Sequence, residues 1–116
     1  MNLLPRHESA VIQMEKLTNY ALDFGKDPDK AEAFRRALGY TQRNAKQLAD
    51  NVRENLHNFE VVFKGNNGFG DLYECVMRLT GANGREANVL TGWIVENGTD
   101  FPRLTTLYVT KRKGRG

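Results

Sequence analysis

The hydrophobic positions change period once along the chain. Between Met14 and Leu56 apolar residues recur three or four positions apart, and between Phe59 and Val109 they alternate. The first half therefore predicts helices and the second half strands. Residues 9–12 can be a short strand or an extended lead-in. A first helix is predicted over about Met14 to Asp23. Leu17, Ala21 and Phe24 lie on one face, Met14 and Leu22 lie beside them, and Gly25 is the stop. Asp27 is an N-cap, and Pro28 fits the first helical position, where its missing N–H costs nothing. Ala31, Phe34 and Leu38 form the apolar stripe of this second helix, and Gly39 ends it. Thr41 caps a third helix with the stripe Ala45, Leu48, Ala49, Val52 and Leu56. Its wet face, Arg43, Lys46, Gln47, Asp50 and Arg53, mixes both signs of charge.

Four strands follow. Phe59, Val61 and Phe63 alternate with Glu60, Val62 and Lys64, and a Gly- and Asn-rich turn covers 65–70. The second strand carries Tyr73, Cys75, Met77 and Leu79 on one face and Leu72, Glu74, Val76 and Arg78 on the other. Asn83-Gly84 is a hairpin signal leading to a third strand from about Glu86 to Glu96. Asn97-Gly98 makes another turn, and Pro102 marks the entrance to a last strand, Arg103 to Thr110. Such short connections favour an antiparallel meander. The expected fold is α+β, with three N-terminal helices packed on one face of a four-stranded antiparallel meander sheet and the other face partly open. One domain is expected over 1–110, followed by a basic flexible tail over 111–116.

With 116 residues, 40% hydrophobic and 27% charged, the chain has enough apolar surface for one modest core, which argues against disorder. No apolar run approaches the roughly 20 residues of a membrane helix. The first residues do not resemble a secretory signal, so a cytoplasmic protein is expected. The net charge is +3, but Lys111, Arg112, Lys113 and Arg115 contribute four positive charges, and +3 less four leaves −1 for the rest. Such a tail is either a solvated terminus or an arm that holds phosphates. The lone cysteine, Cys75, excludes an internal disulfide, suits a reducing compartment and reads as a core residue. One cysteine and two histidines far apart in the chain, His7 and His57, supply no metal-ligand set, and no cofactor is expected. His57 falls at the end of the third helix, where a cation suits the last carbonyls.

Candidate chemistry sits on the strands. Thr91 and Trp93 share one face. Period two puts Arg103 and Thr105 on one face of the last strand and Thr106 and Tyr108 on the other, and either set can point outward. Trp93 and Tyr108 also read as packing residues with a hydrogen-bonded polar tip, and the threonines as plain strand formers. Arg103, just after Asp100-Phe101-Pro102, suits phosphate binding or pairing with a carboxylate.

Several short motifs occur together: Leu4-Pro5, Lys16-Leu17-Thr18 and Tyr20, Gly25-Lys26, Lys30-Ala31 with Phe34 and Ala37-Leu38-Gly39-Tyr40, Thr91-Gly92-Trp93-Ile94, and Pro102 to Val109. As a set they resemble a small bacterial and phage domain family of unknown function. Its members stand alone and at the C-termini of polymorphic and contact-dependent inhibition toxins. The element order is similar to the barnase/EndoU/colicin/RelE toxin fold. The resemblance implies a metal-independent RNase-type toxin domain acting on cytosolic RNA, tRNA included. It implies Arg103, Tyr108 and Thr106 as catalytic residues and Lys26 and Trp93 as substrate-binding ones. Lys26 and Arg103 would neutralise the phosphate, while Tyr108 and Thr106 would position it or relay a proton. RNA and a cognate immunity or antitoxin protein are the implied partners, with no membrane. The predicted strands carry no histidine, and Phe34 stands where such an RNase could have one. The RNase-type toxin is the leading reading. A near-neutral domain without a sheet histidine favours the alternative, a non-catalytic binding module of phage or mobile-element origin that contacts protein or nucleic acid. An immunity or antitoxin partner is a third reading.

Overall fold

The computed structural model describes residues 2–114. It is an α+β fold in which the helical half precedes the sheet. α1, Met14–Lys16, continues as a π-helical stretch, Leu17–Ala21. The Leu22 N–H bonds the Leu17 carbonyl at 2.8 Å, five residues back. In an ordinary helix two residues five apart diverge by about 140°; the wider π turn lines them up, and Leu17 and Leu22 are both buried. α2 spans Pro28–Leu38, and the Asp27 carboxylate accepts the Lys30 N–H. Gly39 ends it in the left-handed region at φ 74°. Thr41 and Asn44 form a reciprocal capping box around a 3-10 turn that opens α3, Ala45–Asn55.

The sheet is an antiparallel meander in the order β1-β2-β3-β4. β1 is Val61–Asn66, β2 Gly70–Thr80, β3 Glu86–Glu96 and β4 Arg103–Thr110. Cys75, Met77 and Leu79 of β2 and Val89 and Trp93 of β3 join Phe34, Leu38, Leu48, Val52 and Leu56 of the helical half in one buried cluster. The alternate positions Leu72, Glu74, Val76 and Arg78 lie outside that cluster.

The register of β4 departs from strict alternation. Tyr108 faces Leu90 and Thr106 faces Gly92, but Leu104 faces Trp93 and Arg103 faces Ile94. Thr105 is the extra residue of a β-bulge. Leu104 and Leu107 therefore both enter the core, and Arg103, Thr106 and Tyr108 all fall on the opposite face. This corrects the period-two expectation that Arg103 would stand apart from the other two.

Two segments flanking the sheet complete it. The N-terminal segment touches both edges. Asn2 accepts the Val61 N–H at 2.8 Å, while Val11 donates to Pro102 and accepts from Leu104. Leu4, between them, is fully buried. At the other end, where a basic tail is expected, Lys111–Gly114 lie across the sheet as a strap. The Asn88 side chain donates to the Arg112 carbonyl at 2.9 Å, the Arg112 guanidinium reaches Glu74 at 3.2 Å, and Gly114 rests against Val76. Arg115 falls outside the described residues.

Candidate functional site

The α2 N-terminus approaches β4 where the bulge turns the strand. The Lys30 ammonium lies 3.4 Å from Thr106 Oγ1 and 5.3 Å from the centre of the Tyr108 ring. It is also 4.0 Å from Asp27, the residue that caps its own helix. The cation is therefore held by a hydroxyl, a ring face and a half-exposed carboxylate, none of which fully neutralises it. A cleft of about 160 Å³ opens beside it, lined by Lys16, Tyr20, Ala21, Lys30, Thr105, Thr106 and Leu107. Lys16 reaches over the exposed Tyr20 ring at 5.6 Å. The lining thus offers two ammonium groups, two threonine hydroxyls and a phenol, the donor set for an anion with several oxygens. A larger, more open and more apolar hollow continues from Thr105 and Thr106 across Gly92 to Leu72, Glu74 and Lys64.

The five residues that the resemblance assigns to a site are not brought together as a group. Thr106 and Tyr108 meet at Lys30. Arg103 shares their sheet face but its Nε is 3.1 Å from the Glu96 carboxylate, the carboxylate-pairing role that its sequence position allowed. Trp93 is 1% exposed, and its indole N–H donates to Thr91 Oγ1 at 2.8 Å, so its packing role is the one the structure displays. Lys26 is exposed on the turn before α2. Lys30, one helical turn further on, is the lysine that reaches the threonine.

Sequence reasoning did not assign Lys30, Lys16, Tyr20 or Thr105 to a site. The signal for Lys30 was available: the Asp27 cap fixes the phase of α2, and Lys30 precedes Ala31 on its buried stripe. The bulge that admits Thr105 leaves no mark in a sequence that keeps alternating β formers. The structure also stacks the two histidines, with ring centroids 6.4 Å apart and planes at 27°, and places His7 Nε2 3.7 Å from Glu8. This pair does not line the cleft. Cys75 is buried, and burial pushes its thiol up to about 12, so it is held neutral and inert. Among the described residues no cluster of three or more His, Cys, Asp or Glu could hold a metal ion. No helix among them is long and apolar enough to cross a membrane.

A family model described as "Domain of unknown function (DUF6883)" matches residues 3–111. The chain belongs to this family. The match takes in all four strands and all three helices, so the DUF6883 domain includes both walls of the cleft. No curated protein and no solved structure matches the chain.

Proposed function

We propose that this DUF6883 domain binds RNA, gripping the phosphate backbone in the cleft between α2 and β4. The observation that carries the reading is the Lys30 ammonium poised 3.4 Å from Thr106 Oγ1 at the rim of a cleft shared with Lys16. Two cations and a row of hydroxyls suit a phosphodiester, whose oxygens accept from all of them. Tyr20, 53% exposed, offers a ring on which a base can stack. The resemblance to the barnase/EndoU/colicin/RelE toxin fold supports RNA as the polyanion. In this reading the helices all cover one face of the sheet, and the other face with the β4 edge is left to the ligand.

Cleavage is the second reading, and one observation favours it. Thr106 and Tyr108, two of the three residues to which the resemblance gives catalysis, converge on Lys30. Metal-independent cleavage needs a base for the 2′-hydroxyl, an acid for the leaving oxygen and cations around the phosphate. Lys30 supplies the cation. The residues lining the cleft include no imidazole, and the carboxylate beside it, Asp27, is shared between the Lys30 ammonium and the Lys30 backbone N–H. Binding therefore ranks first. Under either reading the domain works in a cytosol, as toxin cargo or as a resident protein, and a cognate immunity or antitoxin partner would be one that covers this cleft with carboxylates.

The test combines cytosolic induction in a bacterium with a binding titration. Labelled tRNA is expected to bind the purified chain, and Lys30→Ala is expected to weaken it at least fivefold with the thermal midpoint unchanged. Binding that ignores both Lys30→Ala and Lys16→Ala overturns the assignment. Discrete RNA fragments on a denaturing gel, together with growth arrest and lost on Tyr108→Phe, would promote the second reading to first.

A further inference from the structure

The cleft does not end at the β4 edge. Thr105 and Thr106 line both the cleft and the hollow on the sheet face beyond it. Lys64 and Glu74 line both that hollow and a third depression bounded by Arg112, Lys113 and Gly114 of the strap. The three depressions therefore adjoin and cross all four strands. With neighbouring strands about 4.8 Å apart, the crossing is about 14 Å long. Its floor is Gly92. A Cβ there would come within 2.9 Å of Thr106 Cγ2 and 3.2 Å of Thr105 Oγ1, so the passage is open because this residue has no side chain.

The charge along this path is uneven. Lys16, Lys30, Lys64, Arg112 and Lys113 line it, against two carboxylates, Glu60 and Glu74. Five cations less these two anions give +3, and counting Asp27, 4.0 Å from the Lys30 ammonium, leaves +2. A path with an excess of positive charge and cations at both ends matches a polyanion laid along it.

We propose that a single strand of RNA runs from the α2–β4 cleft over the bulge and across the sheet face to the strap, with Gly92 as the saddle and Lys64 and Arg112 as distal phosphate contacts. The inference rests on the RNA-binding reading above and extends it. The path turns around the edge of the sheet within a few ångströms of Thr106. A duplex, stiff over about 150 base pairs, does not make that turn, whereas a single strand does. Arg112 now pairs with Glu74. The strand therefore displaces the guanidinium from that carboxylate, and Glu74 opposes binding.

Fluorescence anisotropy of a 5′-labelled eight-nucleotide RNA with the full chain, at two salt concentrations, tests this. Lys64→Ala is expected to weaken binding about fivefold and to lower the salt slope by about one phosphate contact. Glu74→Gln is expected to tighten binding about threefold, an effect that a purely structural role of Glu74 would not produce. The same RNA annealed to its complement is expected to bind at least tenfold more weakly. If Lys30→Ala weakens binding while Lys64→Ala and Glu74→Gln leave it unchanged, the path across the sheet is wrong and the cleft alone binds. Equal binding of the duplex also overturns the single-strand path. A wild-type chain that binds neither form overturns both this inference and the reading it rests on.

Discussion

Thr91 is the only polar residue among the fully buried positions described, and its hydroxyl serves two partners. It accepts the Trp93 indole N–H at 2.8 Å and donates to the Cys75 carbonyl at 2.8 Å. Thr91→Val keeps the shape but leaves the indole donor unpaired in the core. The expected loss is about 1–3 kcal/mol, measured by urea unfolding. RNA binding is expected to survive under mild conditions, because Trp93 supports the sheet from its inner side. The neighbouring thiol makes a pH prediction. The Cys75 thiol is raised by burial from 9.0 to about 12, partly offset by a hydrogen bond with Thr91. The unfolded chain therefore releases this proton at lower pH than the native one. Its contribution to stability is fully present below pH 9 and is lost as pH rises toward 12. At pH 8 a thiol reagent is expected to react with Cys75 only as fast as the protein opens, and to react at once in denaturant.

Among the elements, the bulge in β4 does most to shape the site. Remove Thr105 and the remaining order, Leu104 inward, Thr106 outward, Leu107 inward, is a plain alternating strand with the same cross-strand partners. Deletion of Thr105 is thus expected to leave the fold intact, with Cys75 still protected, and to weaken RNA binding by taking a hydroxyl out of the cleft. Loss of folding would show that the bulge is needed for the twist of β4. Gly39 makes a harder constraint. It ends α2 at φ 74°, and a Cβ there would stand 3.0 Å from the Asn83 Cβ in the β2–β3 hairpin. Gly39→Ala is expected to cost about 1–2 kcal/mol in a thermal melt. Most elements were legible in the sequence for such local reasons. The Asp27-Pro28 start, the Gly39 stop, the Thr41 cap and the Asn-Gly turns each act through the backbone of their own few residues. The bulge was not legible, because its cause is the fit of Leu104 and Leu107 to a core built by distant helices. That Lys30 reaches Thr106 was hidden for the same reason: which lysine does so depends on how α2 lies against β4.

At the scale of the whole molecule, charge and covering segments matter more than any single contact. The tail residues read either as a solvated terminus or as a phosphate-holding arm, because composition records only their sign. In the structure Arg112, held by Glu74 and Asn88, borders a groove together with Lys113. The surface ion pairs themselves, such as Lys46 with Asp50 at 2.8 Å, contribute less than about 1 kcal/mol each. Raising salt is accordingly expected to leave the melting midpoint nearly unchanged while it weakens nucleic-acid binding steeply. Near-equal slopes for the two would sink the electrostatic account.

The N-terminal segment has a consequence of a different kind. One stretch of about ten residues pairs with β1 through Asn2 and with the start of β4 through Val11. Bare strand edges are templates for further strands, and natural sheets hide them. Here a single local detachment would bare the Val61 end of β1 and the Arg103 end of β4, one on each side of the same sheet. A molecule with one sticky edge stops at a dimer, whereas one with two can add copies without limit. A chain lacking residues 2–11 is therefore expected to grow into filaments, with turbidity that rises steeply with concentration.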